Sequence, residues 1–221
     1  MAAKKTGLFF GSFNPIHNGH LMIANHLAEF NKLDQIWFVI SPMNPFKTDQ
    51  EMLSEYHRRE LLTRAIGDYS KFRVSSVEFQ LPKPSYTIDT LAFLRNKYPE
   101  NQFILIMGSD QLPNFYKWKS PVEILAGYKI LVYPRPEGDR DTIYEARDQK
   151  EKALEEPGFP LHASRITNHE LLNHPSVTLV KAPLLEISSS FIRKAIRDGK
   201  DVRFFMPELT WQYLDEMHFY R

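Results

Sequence analysis

Short apolar runs that alternate with helical patterns constrain this chain most strongly. The runs are β-branched or aromatic and mostly lack polar alternation, as expected of strands buried on both faces. They are Thr6 to Phe10, Ile36 to Ile40, Phe72 to Val77, Phe103 to Met107, Lys129 to Tyr133 and Val177 to Val180. Because alternating strands and helices favour right-handed parallel crossovers, we predict an α/β fold. It should be Rossmann-like and doubly wound, with a mainly parallel sheet and helices on both faces.

The length of the chain suits one domain, residues 1–221, with one insertion. The segment from about 134 to 175 breaks the rhythm of strands and helices, because it is rich in charge, proline and glycine. Part of it, Thr142 to Leu154, is a candidate polar helix. The segment has too few apolar residues for a core of its own. We therefore interpret it as a polar insertion into a single domain.

The composition excludes several classes of protein. The 28 Lys and Arg residues nearly balance the 27 Asp and Glu residues, so charge gives no general reason to expect a nucleic-acid partner. The absence of cysteine excludes disulfides, thiolate metal sites and cysteine nucleophiles, and is compatible with a reducing compartment. No apolar run is long enough to span a membrane, and none forms the core of a signal peptide. We expect a cytoplasmic protein that has no membrane partner.

A loop with two histidines follows the first predicted strand. It runs Gly11-Ser12-Phe13-Asn14-Pro15-Ile16-His17-Asn18-Gly19-His20 and opens the first predicted helix. Ligands of open α/β sheets bind at the carboxyl ends of strands, and a helix N-terminus favours phosphate. We expect Gly11 to let a phosphate approach the backbone and Gly19 to adopt a conformation that side chains forbid. The two imidazoles could then stabilise charge on a transferring phosphoryl group.

Other interpretations of this loop are less specific. It lacks the Gly-Lys-Ser/Thr of a Walker motif and the Gly-x-Gly-x-x-Gly of a dinucleotide fingerprint. In a purely structural alternative, His17 and His20 are a loop residue and a helix cap. A zinc site is a more specific alternative. Zinc needs at least one further ligand besides the two histidines, and no nearby group of residues in the sequence supplies one. The pair, the two glycines and the position after the first strand together favour phosphoryl chemistry.

A second candidate phosphate site lies near the end of the chain, in Glu186-Ile187-Ser188-Ser189-Ser190-Phe191-Ile192-Arg193. Hydroxyls and free N–H groups at a helix start, with an arginine about one turn later, form an anion site suited to the phosphates of ATP. The alternative is an ordinary serine N-cap with a surface arginine. The presence of the histidine loop in the same chain favours the phosphate interpretation, and Gly199 marks the expected end of this helix.

The first loop resembles the His-x-Gly-His signature of the nucleotidyltransferase superfamily. It is most similar to the loop of the bacterial nicotinate-nucleotide adenylyltransferases, and the similarity extends from Leu8 to Leu214. The resemblance implies transfer of AMP from ATP to nicotinate mononucleotide, giving deamido-NAD and pyrophosphate. It implies Mg²⁺ that is carried on the ATP phosphates and has no protein ligands. The expected catalytic residues are His17, His20 and Arg193.

Further segments resemble motifs of the same family. Gly108-Ser109-Asp110 ends a predicted strand, and Asp110 would accept a ribose hydroxyl or lie near the metal, unless it is only a helix cap. Ser85-Tyr86-Thr87-Ile88-Asp89-Thr90-Leu91 implies N–H groups near Tyr86 and Thr87 that bind the pyridine carboxylate, although these residues also suit a capped helix start. Trp118 would stack on the pyridine ring, or merely pack in the core. Lys47 corresponds to a lysine or arginine that meets phosphate, and Arg58 lies in a similar family stretch.

The resemblance therefore assigns two sets of binding residues. The ATP-binding set is Gly11, Ser12, Phe13, Gly19, His20, Gly108, Asp110, Ile187, Ser188, Ser190 and Arg193. The mononucleotide-binding set is Asn14, Lys47, Tyr86, Thr87 and Trp118. Three alternatives stay open: a nicotinamide mononucleotide acceptor, another acceptor such as phosphopantetheine, and a regulator that binds nucleotide without turnover. The sequence does not decide whether the chain forms a homo-oligomer.

Overall fold

The computed structural model describes residues 3–42, 52–135 and 168–221. The chain divides into two compact units. One comprises Met1–Leu8 and Tyr86–Leu185, and the other comprises Phe9–Ser85 and Glu186–Arg221. The first candidate loop and the second candidate phosphate site both belong to the second unit. The Gly108 and Tyr86 motifs belong to the first.

The described residues form a six-stranded sheet with the order β3-β2-β1-β4-β5-β6. The strands are β1 (Lys4–Gly11), β2 (Gln35–Ile40), β3 (Phe72–Ser75), β4 (Asn101–Gly108), β5 (Lys129–Tyr133) and β6 (Val177–Leu179). Phe38 pairs with Val74 in the parallel β2–β3 ladder, and Ile106 pairs with Leu131 in the parallel β4–β5 ladder. The predicted Rossmann-like α/β fold with a parallel sheet is confirmed.

Helices alternate with these strands, as predicted. They are α1 (Asn18–Phe30), α2 (Glu55–Ile66), α3 (Thr87–Lys97), α4 (Pro121–Gly127), α5 (Asn168–Asn173), α6 (Ser189–Arg197) and α7 (Glu208–Glu216). Gly199 has a φ of +69° just beyond α6. Its position lets the Lys200 N–H donate to the Ala195 carbonyl at 2.9 Å, which ends the helix as the sequence predicted.

Burial explains why the strand pattern was recognisable. Every residue from Ile36 to Ile40 is at most 2% exposed, so β2 is covered on both faces and shows no polar alternation. The third strand is shorter than predicted. It ends at Ser75, and Val77 instead begins a short 3₁₀ helix, Val77–Phe79, in which its apolar side chain is still buried. An apolar residue after a strand therefore packed in the core without extending the strand.

The predicted insertion at about 134–175 lies mostly outside the described residues, as does the candidate helix Thr142 to Leu154. Its last part forms α5, in which Leu171 and Leu172 are buried. The interpretation of the chain as one domain with an insertion stays a prediction. In the described ranges, no helix is long and apolar enough to cross a bilayer.

Candidate active site

The loop between β1 and α1 holds its backbone in an unusual conformation. Phe13 has a φ of +46° and a side chain that is 1% exposed. Its ring packs edge-on against Phe9 and Phe38. A left-handed backbone is costly for a bulky residue and persists only where packing enforces it. The aromatic core thus fixes the path of the loop, and the Phe13 ring is buried away from any ligand.

The two histidines of the loop lie side by side. Their ring centroids are 3.7 Å apart with an angle of 30° between the planes. His17 occupies the N-cap position of α1 with extended backbone, but its side chain does not cap the helix. Its carbonyl instead accepts the N–H of His20 at 3.0 Å. The alternative in which a histidine side chain caps the helix is wrong, and both imidazoles are directed to one place at the helix start.

Space, rather than backbone conformation, explains the glycines of this loop. A Cβ added to Gly19 would lie 3.0 Å from His17 Nδ1 and 3.5 Å from Ile187 Cβ. A Cβ added to Gly11 would lie 2.9 Å from the Phe13 ring. Positive φ angles occur at Gly67 and Gly199 but at neither loop glycine, so the conformational role predicted for Gly19 is wrong. Gly19 allows the His17 ring to lie against the helix, and Gly11 accommodates the Phe13 ring.

The start of α6 contacts this loop. Arg193 is 9% exposed, and its Nη1 donates to the Asn14 carbonyl at 2.8 Å. Ser189 Oγ donates to the Pro15 carbonyl at 2.9 Å. The two motifs are therefore in direct contact, and their joint role in a phosphate site stays a prediction. Arg193 is not the surface arginine of the alternative interpretation.

Within α6, Ser188 does cap the helix, because its Oγ accepts the Phe191 N–H at 3.1 Å. Ser190 Oγ lies 3.5 Å from Arg193 Nη2. The helix start therefore combines a hydroxyl cap, a second hydroxyl and a buried guanidinium. Such a group suits the terminal phosphates of a nucleotide.

Asn14 supports the loop from inside. It is 2% exposed, and its Oδ1 accepts the Leu53 N–H at 3.1 Å and the Tyr220 hydroxyl at 2.6 Å. The side-chain oxygen thus has two donors from the protein itself. Contact between Asn14 and a substrate stays a prediction.

Sequence reasoning undervalued Arg58. The residue is 1% exposed, and its guanidinium donates to four backbone carbonyls: Ser12 at 2.9 Å, Ser41 at 2.7 Å, Leu53 at 3.0 Å and Pro42 at 3.2 Å. Burial lowers the pKa of Arg58, because the cation loses hydration there. It ties the loop after β1 to the end of β2. Apart from the family similarity, no local pattern indicates that Arg58 is buried, because an arginine in a polar helix is typically solvated.

The unit that contains β4 holds five of the predicted site residues: Tyr86, Thr87, Gly108, Asp110 and Trp118. A Cβ added to Gly108 would clash with Asp110 Oδ1 and lie 3.0 Å from Arg135 Cγ. Arg135 Nε lies 3.8 Å from Asp110 Oδ1, and the Arg135 N–H donates to Ser109 Oγ at 2.9 Å. Gly108, not Asp110, is the cap residue of the following 3₁₀ helix, Ser109–Lys117. The guanidinium of Arg135, a residue that sequence reasoning did not single out, therefore lies near the Asp110 carboxylate without a hydrogen bond to its Oδ1.

The start of α3 is capped by backbone alone. Tyr86 takes the N-cap position without a side-chain cap, and its carbonyl accepts the Asp89 N–H at 3.0 Å and the Thr90 N–H at 3.1 Å. The alternative of a helix start capped by a side chain is wrong for these residues, since Thr87 is already the first helical residue. Lys119 Nζ lies 2.8 Å from an Asp89 oxygen and 4.9 Å from the Tyr86 ring centre.

Trp118 lies at the end of the 3₁₀ helix that follows β4. Its ring centre is 5.2 Å from that of Phe115, which is fully buried. Trp118 itself is only partly buried, and its contact with a ligand stays a prediction. Lys47 lies outside the described residues, and its role stays a prediction.

Comparisons with known proteins show the family to which this chain is similar. The family model described as cytidylyltransferase-like matches residues 8–195. The chain is 42% identical over 218 residues to a probable nicotinate-nucleotide adenylyltransferase of Christiangramia forsetii, covering 99% of each chain. It is 44% identical over 212 residues to a protein of the same name from Bacteroides fragilis, covering 96% of this chain and 92% of that one.

Among solved structures, Plasmodium falciparum nicotinic acid mononucleotide adenylyltransferase complexed with APC shares the fold. The TM-score is 0.70 at 21% identity, and the alignment covers 98% of this chain and 97% of that one. Nucleotidyltransferases of this kind generally use a divalent metal. The full-length similarity to the bacterial relatives shows that this chain belongs to the cytidylyltransferase-like family and, within it, to the nicotinate-nucleotide adenylyltransferases.

Proposed function

We propose that this chain transfers AMP from ATP to nicotinate mononucleotide and releases pyrophosphate, with deamido-NAD as the other product. The observation that carries the proposal is the stacked pair His17 and His20, 3.7 Å apart, beside a helix start whose Arg193 is bonded to the same loop. A site that presents two imidazoles and a guanidinium suits a polyphosphate. The names of the bacterial relatives support the choice of acceptor.

The reaction needs no covalent enzyme intermediate, because the acceptor phosphate is already an anion. One of its oxygens attacks the α-phosphorus of ATP, and the bond from that phosphorus to the oxygen bridging to the β-phosphate breaks. The protein must position two anions that repel each other and neutralise charge on the α-phosphate. His17 and His20 would donate hydrogen bonds to that phosphate. The start of α6, with Ser188, Ser190 and Arg193, would hold the leaving pyrophosphate.

The loop backbone from Gly11 to Phe13 would line the ATP site through its amide groups, because the Phe13 side chain is buried. Asp110 would accept a ribose hydroxyl from ATP. The mononucleotide would be recognised by its carboxylate at the N–H groups near Tyr86 and Thr87, where the helix dipole favours an anion. The indole of Trp118 would stack on the cationic pyridine ring. Asn14 and Lys47 would contact the phosphate of the acceptor.

The divalent ion is proposed to be Mg²⁺, carried on the ATP phosphates. Asp110 fits such an ion: it supplies a hard oxygen donor, and in the described residues its buried Oδ1 has no hydrogen-bond partner, although Arg135 lies 3.8 Å away. Bound Mg²⁺ would neutralise phosphate charge. A cytoplasmic location is part of the same proposal, and oligomeric state is left to measurement.

Pyrophosphate release from purified protein tests the proposal. The assay contains ATP, Mg²⁺ and one acceptor at a time: nicotinate mononucleotide, nicotinamide mononucleotide or 4′-phosphopantetheine. We expect the highest kcat/KM with nicotinate mononucleotide. A preference for one of the other acceptors would contradict the assigned substrate. Release with none of them would favour the nucleotide-binding regulator.

A further inference from the structure

The last residues of the chain fold back after α7. His218 and Tyr220 have φ angles of +54° and +65°, conformations that are costly for residues other than glycine. The Phe219 N–H donates to the Leu214 carbonyl at 3.2 Å, and the Phe219 ring packs 4.8 Å from the His57 ring. Arg221 pairs with Asp215 of α7. The tail is therefore held in one defined conformation by contacts on both sides of Tyr220.

That conformation brings the Tyr220 hydroxyl to the candidate loop. The hydroxyl donates to Asn14 Oδ1 at 2.6 Å, across 206 residues of sequence, and the Leu53 N–H donates to the same oxygen at 3.1 Å. The Asn14 carbonyl accepts from Arg193 at 2.8 Å. Asn14 is three residues before His17. The hydroxyl of Tyr220 therefore belongs to a hydrogen-bond network that holds the histidine loop.

We infer that Tyr220 is a positioning residue for the adenylyl transfer, acting through Asn14. The inference rests on the proposed function. With both donors present, the Asn14 amide has one orientation, and the loop backbone is held at its side chain and at its carbonyl. Without the hydroxyl, the buried Asn14 oxygen loses a donor, and the loop that presents His17 and His20 gains freedom. Misplacement of catalytic groups lowers kcat more than it weakens ground-state binding.

Tyr220→Phe removes the hydroxyl alone and tests the inference. We expect kcat for pyrophosphate release to fall about fivefold, which corresponds to about 1 kcal/mol, with little change in KM for ATP. The matched control is Tyr213→Phe. Tyr213 lies on α7 and its hydroxyl is 2.9 Å from His57 Nδ1, so this variant loses a similar bond that does not reach Asn14. The control should keep the kcat of the wild type even if its melting temperature falls.

Two outcomes would overturn the inference: a Tyr220→Phe variant with the kcat of the wild type, or a Tyr213→Phe variant that loses as much. A double-mutant cycle adds a second test. In an Asn14→Ala background, Tyr220→Phe should cause no further loss of kcat, because its partner is gone. A full fivefold loss in that background would mean that Tyr220 acts elsewhere.

Hydrogen exchange separates this inference from the proposed function. If the wild type released no pyrophosphate, the proposed function would fail, but the loop could still be examined. Backbone amides of residues 12–20 should exchange faster in Tyr220→Phe than in the wild type, whereas Tyr213→Phe should leave them unchanged. Equal exchange rates of these amides in all three proteins would contradict the positioning role, whatever the activity of the enzyme.

Discussion

Replacing Arg58 with methionine would test how the candidate loop is anchored. Methionine keeps most of the aliphatic length of arginine but removes the guanidinium, so four backbone carbonyls lose a donor. These are the carbonyls of Ser12, Ser41, Pro42 and Leu53. We expect a large loss of stability, because backbone acceptors left unpaired in the interior cost free energy.

The magnitude follows from two opposing effects. Hydrogen bonds to a charged donor contribute about 1.5 kcal/mol each at the low end of the usual range, or about 6 kcal/mol for four. Burying a guanidinium that is 1% exposed costs several kcal/mol of lost hydration, and methionine avoids that cost. If about 3 kcal/mol is recovered in this way, the variant should lose about 3 kcal/mol in its free energy of unfolding.

Guanidinium chloride denaturation, followed by tryptophan fluorescence, would measure the loss from the transition midpoint and slope. The matched control is Arg59→Met, because Arg59 is the next residue of α2 and is exposed. Its stability should stay within about 0.5 kcal/mol of the wild type. If Arg58→Met lost less than about 1 kcal/mol, the carbonyl contacts would not anchor the loop as inferred.

Three further variants test other parts of the site. His20→Ala should lower kcat by about 10²- to 10³-fold, whereas His26→Ala, farther along α1, should leave it unchanged in the same steady-state assay; equal losses would refute a special role for His20. Gly19→Ala should lower kcat about tenfold by displacing the His17 ring, while Gly127→Ala, whose added Cβ meets nothing within 4 Å, should keep full activity. Ser188→Ala should lower the free energy of unfolding by about 1 kcal/mol through loss of its cap, and denaturation showing no loss would contradict the cap.

Local sequence predicted the elements well where burial and turn signals agreed. The strand Lys129–Tyr133 has the predicted bounds, since a buried β-branched and aromatic run is followed by Pro134. The position of the histidines also followed from local pattern, because a loop after the first strand and before a helix has one place in such a fold. Gly199 ended its helix for the reason that the sequence suggested.

Contacts between residues far apart in the sequence could not be predicted from local sequence pattern. Nothing near Tyr220 in the sequence indicates a partner at Asn14, and nothing near Arg58 indicates four carbonyl acceptors from separate segments. The glycines show a similar limit. Sequence identifies Gly19 as necessary but cannot tell a special φ angle from a need for space, which depends on where the His17 ring packs.

Transfer of a labelled adenylyl group would show the proposed reaction itself. The purified chain would be incubated with nicotinate mononucleotide, Mg²⁺ and ATP labelled in its α-phosphate, and the products separated by chromatography and identified by mass. The proposed adenylyl transfer predicts that the label appears in deamido-NAD, in an amount equal to the pyrophosphate released. Label recovered as free AMP, or in no product at all, would contradict it.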